Sequence, residues 1–157
     1  MTPAIQALQR AGIAHSVHAF ERQPRARNYG AEAVAKLGLD THHVFKTLIA
    51  SSEHGELLVA LVPVADQLEL KALARAAGVR RCVMATPEAA QRATGYVPGG
   101  ISPLGQKRAL RGFIDKSAQT LPQIHVSAGR RGLEVALSPQ DLACAIGATF
   151  APIARPG

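Results

Sequence analysis

Lys46 is the first residue whose setting asks for a chemical explanation. It lies in Val44-Phe45-Lys46-Thr47-Leu48-Ile49, an apolar run rich in branched residues that predicts a strand. Alternation along a strand puts Val44, Lys46 and Leu48 on one face. A lysine between two apolar neighbours has two readings. It is an edge lysine with its stem on apolar surface and its ammonium in water, or it is a functional amine whose burial is costly and lowers its pKa. The second feature is Gly99-Gly100-Ile101-Ser102-Pro103. Adjacent glycines let backbone N–H groups approach a ligand without a Cβ in the way. Such groups can hold a carbonyl oxygen as it gains negative charge. Pro98 and Pro103 stiffen the loop on both sides, and an ordinary surface loop is the alternative. The third feature is Ser127-Ala128-Gly129-Arg130-Arg131-Gly132-Leu133-Glu134, where a hairpin can bring a hydroxyl and a carboxylate to one rim. Its bland reading is a solvated basic turn.

Other constellations are missing. His15, His18, His42, His43, His54 and His125 form neither HExxH nor a comparable metal spacing, so no metal is expected. His42-His43 reads as a surface turn ahead of the Lys46 strand. No GxSxG elbow, GxGxxG fingerprint or Gly-Lys-Ser/Thr phosphate loop occurs, and no cofactor is expected. The sequence is poor in protein nucleophiles and rich in positioning groups. Cys82 and Cys144 sit outside any CxxC, among apolar neighbours, and are expected to be buried free thiols.

The elements that must position these residues are mostly legible. Thr2-Pro3 opens a helix that carries Ile5 and Leu8 on its apolar face and ends at Gly12. His15 to Phe20 reads as a strand, Glu21 to Asn28 as a polar loop, and Ala31 to Leu37 as a helix stopped by Gly38. The runs from Val44 to Ser51 and from Leu57 to Pro63 form a hairpin through Ser52-Glu53-His54-Gly55. A helix is expected from Leu68 to Ala77, a strand from Val79 to Met84, and a helix from Thr86-Pro87-Glu88 to about Ala93. Gly95 to Gly105, with four glycines and two prolines, cannot be regular structure. Leu110 to Ile114, Ile124 to Ser127 and Leu133 to Leu137 read as strands. Ser138-Pro139-Gln140-Asp141 starts a last helix that ends near Gly147. The expectation is one α/β (α+β) domain over residues 1–157. It has a mixed, largely antiparallel, barrel-like sheet with helices around it.

Composition narrows the class. Hydrophobic residues make up 47% of the chain, enough for a packed core. No apolar run is long enough to span a membrane, and the start lacks the regions of a signal peptide, so a cytoplasmic location is expected. Lys and Arg number 18 against 11 Asp and Glu, a net charge of +7 that concentrates polyanions. Aromatics are only 4% of the chain, so contacts to a nucleic acid are expected through its phosphates rather than by stacking on its bases.

Taken together, the segments Phe45-Lys46-Thr47-Leu48, Thr94 to Lys107 (TGYVPGGISPLGQK) and Val126 to Glu134 (VSAGRRGLE) resemble the YbaK/EbsC group of the prolyl-tRNA synthetase editing-domain superfamily. Met1-Thr2-Pro3-Ala4-Ile5 resembles its start, and the match runs in order over nearly the whole chain. The resemblance implies the fold of that superfamily and a free-standing deacylase acting on cysteinyl-tRNA(Pro). Small side chains differ in binding by only a few kcal/mol, so hydrolytic editing is the physical remedy for mischarging. It also implies that Lys46 is the essential lysine and that Gly99 opens the GxxxP loop. Gly100, Ile101, Ser102 and Pro103 complete that loop against the substrate. Thr47, Ser127 and Glu134 fall at substrate-pocket positions. Phe20 stands where close relatives often carry Tyr, and Glu134 where Asp is common. In this group the substrate's own thiol attacks the ester and releases a thiolactone, with proximity as the main catalytic effect. The implied partners are aminoacyl-tRNA and prolyl-tRNA synthetase, since so short a chain has little room to read an anticodon. The alternatives are a sister deacylase for alanyl-tRNA(Pro) or another aminoacyl-tRNA, and a non-catalytic module that binds tRNA or a synthetase.

Overall fold

A computed structural model describes residues 1–22 and 29–157; the expected polar loop falls mostly on residues 23–28, outside them. The first elements are α1 (Pro3–Ala11), β1 (Ser16–Ala19), α2 (Tyr29–Leu37), β2 (Phe45–Ser52) and β3 (Leu57–Pro63). They are followed by β4 (Asp66–Leu68), α3 (Leu70–Ala77), β5 (Cys82–Met84), α4 (Pro87–Thr94) and β6 (Arg111–Asp115). A 3₁₀ turn (Lys116–Thr120) leads to β7 (Ile124–Arg130), β8 (Leu133–Leu137), α5 (Pro139–Ile146), β9 (Thr149–Ala151) and β10 (Ala154–Pro156).

The helix ends follow from capping chemistry. Thr2, Thr86 and Ser138 each accept a backbone N–H from the first turn of α1, α4 and α5, and a proline follows each of them. α1, α3, α4 and α5 end on glycines in the left-handed region, where a side chain would be strained.

The central sheet has the order β5-β2-β3-β6-β9. Its β5–β2 and β2–β3 pairs are antiparallel, while β3–β6 and β6–β9 are parallel. A second sheet, β1-β8-β7, is wholly antiparallel, and β4 pairs with β10 at the end of the chain. The barrel-like expectation needs correction: among the described residues the strands form three sheets that do not close. A single bridge, Val44 to His125, joins the edge of β2 to β7 where closure would begin.

β3 is buried along nearly its whole length, which explains its unbroken apolar sequence: it faces packed side chains on both sides. On one side Phe45, Ile49, Val59 and Leu61 meet Ile124, Val126, Val135 and Leu137 of the second sheet, with Ile5 and Leu8 of α1. On the other, Leu58, Ala60 and Val62 meet Leu73, Ala74 and Ala77 of α3. Cys82 is buried as expected, but Cys144 is exposed. In α5 the inward stripe runs through Leu142, and a residue two positions on points away from it. No helix among the described residues is long and apolar enough to cross a membrane.

Candidate functional site

A cavity of about 460 Å³ opens where β2, β8 and the glycine loop meet. Phe20, Lys46, Thr47, Gly99, Ile101, Ser127 and Glu134 all line it, joined by Tyr29, Gly30, Arg131 and Gly132. Residues spread over more than a hundred positions of sequence thus converge on one space.

β2 supplies Lys46 and Thr47 on opposite faces of the strand, near its start, next to the Val44–His125 bridge that joins the two sheets. Burial pushes the Lys46 amine below the usual lysine value, and the nearby Asp66 carboxylate partly restores it. The Lys46 amine makes no hydrogen bond or ion pair with a described residue. The Thr47 hydroxyl oxygen is buried and has no hydrogen-bond partner among the described residues. Buried hydroxyls are rarely left so, because desolvation without a partner costs about 1–3 kcal/mol.

The β7–β8 hairpin supplies the opposite wall. Ser127 and Glu134 are direct cross-strand partners, so their side chains stand on the same face. β7 runs on to Arg130 through a bulge between Ser127 and Arg130, and the turn is narrower than the sequence suggested. Ser127 Oγ accepts the Gly129 N–H at 3.2 Å. Glu134 is 8% exposed, and burial alone pushes its carboxyl up to about 8. At neutral pH it is therefore mostly protonated, a neutral donor and acceptor rather than a charge.

The glycine loop closes the site from above. Gly99 has φ +89°, and a Cβ there would lie 2.5 Å from Tyr29 Cε2. A Cβ on Gly100 would lie 2.8 Å from Arg130 Cα. Glycine is required at both by close approach, and at Gly99 by conformation as well. The loop is tied across its base by Tyr96, whose buried hydroxyl donates to the Leu104 carbonyl at 2.6 Å. The Gly100 N–H donates to the Val97 carbonyl at 2.9 Å, so it is not free for a ligand. The N–H groups of Gly99 and Ile101 have no such partner among the described residues. Gly100, Ser102 and Pro103 do not line the cavity. They are buried behind it, where Ser102 Oγ accepts the Leu104 N–H.

Sequence reasoning missed the residues that hold this wall. The Arg131 guanidinium sits 4.5 Å above the Tyr29 ring and pairs with the buried Glu32 carboxylate at 3.0 and 3.1 Å. This joins α2 to the hairpin across 99 positions, and Tyr29 in turn abuts Gly99. The only sequence signal was an acid inside a short helix. Of the histidines, His42 is exposed beside Asp40, while His125 is buried against His18 outside the cavity. No group of three or more His, Cys, Asp or Glu among the described residues is placed to hold a metal ion.

The family described as "Aminoacyl-tRNA editing domain" matches residues 23–144. A protein of Enterococcus faecalis, EbsC, named as a candidate Cys-tRNA(Pro)/Cys-tRNA(Cys) deacylase, is 36% identical over 124 residues. The match covers 78% of this chain and 76% of that protein. A proline–tRNA ligase of Trichlorobacter lovleyi is 32% identical over 98 residues, covering 62% of this chain and 17% of that larger enzyme. A solved structure described as a candidate trans-editing enzyme for prolyl tRNA synthetase superposes with a TM-score of 0.83 at 24% identity, covering 99% of each chain; that likeness is one of fold.

Proposed function

The chain belongs to the aminoacyl-tRNA editing domain family, and from that premise we propose that it is a trans-editing hydrolase that deacylates cysteinyl-tRNA(Pro). One observation carries this reading. A single cavity is lined by Lys46, Thr47, Gly99 and Ile101 together with the cross-strand pair Ser127 and Glu134. Among the described residues, no cysteine or histidine lines that cavity. It holds an ester well and offers no activated nucleophile of its own.

The terminal adenosine of the tRNA enters between β2 and the loop. Lys46 anchors it or its phosphate, and stabilises negative charge on the ester oxygen. The N–H groups of Gly99 and Ile101 hold the carbonyl as it becomes tetrahedral. Glu134, protonated when the cavity is empty, can give up its proton when the substrate ammonium arrives and so bind it as a carboxylate. The cysteine sulfur attacks the ester carbon: the S–C bond forms, the C–O bond to the ribose breaks, and the thiol proton passes to the departing ribose oxygen. A thiolactone and a free tRNA end result. Holding sulfur and carbon together is the main contribution of the protein.

The test is deacylation of cysteinyl-tRNA(Pro) and alanyl-tRNA(Pro) by the purified protein and by Lys46→Ala. The cysteinyl ester should be cleaved by the native protein, with kcat/KM lower by roughly a hundredfold or more in the variant. Rapid cleavage of the alanyl ester would rule out the thiol mechanism and make this a sister deacylase. Binding of tRNA without cleavage of either ester would leave a recognition module.

A further inference from the structure

Most of the charge excess lies outside the cavity, and part of it is gathered in one groove. α4 ends in Thr94, with Arg92 in its last turn. The chain then makes the glycine loop and returns so that the Lys107 N–H donates to the Thr94 carbonyl at 3.0 Å and the Arg108 N–H to the Ala93 carbonyl at 2.9 Å. These bonds satisfy carbonyls that a helix end leaves open. They also bring Arg92, Lys107 and Arg108 together at the two feet of the loop whose tip lines the cavity. Two adjoining concavities, of about 400 and 630 Å³, share Arg92 and Lys107; the second also takes in Arg108 and the backbone-rich turn at Gly55. All three cations are exposed, and none is held in an ion pair with a described residue. Arg111 and Arg131, by contrast, are each committed to a glutamate. Among the described residues, Glu88 is the one acid lining either concavity. Three free cations along a concave strip fit a row of phosphates better than a single anion.

We propose that the groove of Arg92, Lys107 and Arg108 is the docking surface for the phosphate backbone of the RNA whose 3′ end enters the cavity. The inference rests on the deacylase reading and adds where the body of the substrate lies. Because loop and groove are tied by backbone hydrogen bonds, phosphates held at the feet fix the direction from which the terminal nucleotide reaches Gly99.

The experiment compares the native protein with the triple variant R92Q/K107Q/R108Q and with a control, R75Q/R80Q/R81Q. The control removes the same charge from a different concavity, beside α3 and β5. Two substrates are used: cysteinyl-tRNA(Pro) and cysteinyl-adenosine, which has no phosphate. The groove variant should raise KM for the tRNA ester about tenfold and leave kcat nearly unchanged. It should also flatten the dependence of log kcat/KM on log salt by about two to three charges, while hydrolysis of cysteinyl-adenosine stays at the native rate. The control should change neither substrate's KM by more than the general loss of field. Equal effects of the two variants, or no effect of the first, would overturn the proposal. So would equal loss on both substrates, since the three residues would then be supporting the cavity. If the native protein cleaves neither ester, the deacylase reading fails, and anisotropy with uncharged tRNA decides the groove. Binding lost only in the groove variant upholds it, and any other pattern rejects it.

Discussion

Glu134 occupies a wall where a charge is expensive, and that sets a pH dependence that can be measured apart from catalysis. Its carboxyl is held at about 8 in the folded protein by burial, against an ordinary value of 4.5. The folded state therefore keeps a proton that the unfolded chain loses on passing through the ordinary carboxylate range. The sign follows: the group's contribution is whole below that range, declines as pH rises, and is fully lost above about 8. Glu134→Gln keeps the shape and removes the titration. In urea unfolding, the variant should gain stability on the native protein by a few kcal/mol between about pH 5 and about pH 8.5. Stability curves that stay parallel across that range would mean that Glu134 is ionised in the folded state. Thr47 shows the same economy from the other side. Its hydroxyl is buried without a partner among the described residues, at a cost of about 1–3 kcal/mol to the folded state.

At the scale of the element, the glycine loop is a piece of irregular chain made rigid by what it touches. Gly99→Ala introduces two faults: an alanine at φ +89°, worth about 1–3 kcal/mol of strain, and a methyl 2.5 Å from Tyr29. We expect kcat/KM to fall at least tenfold and the protein to melt earlier. Adding Tyr29→Ala should relieve the clash but not the strain, so the two substitutions together should cost clearly less stability than their sum. Additive costs would place the Tyr29 ring elsewhere. Sequence made the loop visible because four glycines and two prolines exclude regular structure. α1 and α5 were equally legible at both ends, since a Thr-Pro or Ser-Pro cap and a terminal glycine are local signals, whereas the Glu69 cap of α3 lay inside the expected helix. β4, β9 and β10 were missed, because three residues are too few to show alternation and each is held by pairing with distant chain. β10 also depends on the buried Asp115, whose Oδ1 accepts the N–H groups of Ile153 and Ala154 at 3.1 and 2.9 Å. The cavity was half legible for the same reason. Lys46, the loop and the hairpin each have a local signature, whereas the contact of Arg131 with Glu32 and Tyr29 exists only once the chain has folded. The exposed Cys144 was misread because apolar neighbours in sequence are not neighbours on a helix face.

The molecule as a whole bounds what it can recognise. A folded chain of 157 residues has a radius of gyration of about 15 Å, so a protein that holds the 3′ end of a tRNA cannot also touch the anticodon at the far end of the same tRNA. On the proposed deacylase reading, the contacts these 157 residues make are with the aminoacyl group, the last nucleotides and nearby phosphates, and phosphates position without specifying sequence. Acting alone, it should therefore cleave cysteinyl-tRNA(Pro) and cysteinyl-tRNA(Cys) with kcat/KM values within about tenfold of each other. On that reading we propose that correctly charged cysteinyl-tRNA is spared through a partner outside these residues, a synthetase that selects tRNA(Pro) by its anticodon. Steady-state deacylation with and without prolyl-tRNA synthetase tests this directly. The synthetase should raise kcat/KM for the tRNA(Pro) ester and leave the tRNA(Cys) ester unchanged. A strong preference for tRNA(Pro) in its absence would show that the acceptor arm alone is read. In that case base-edge contacts near the cavity mouth would have to accompany the phosphate contacts of the groove.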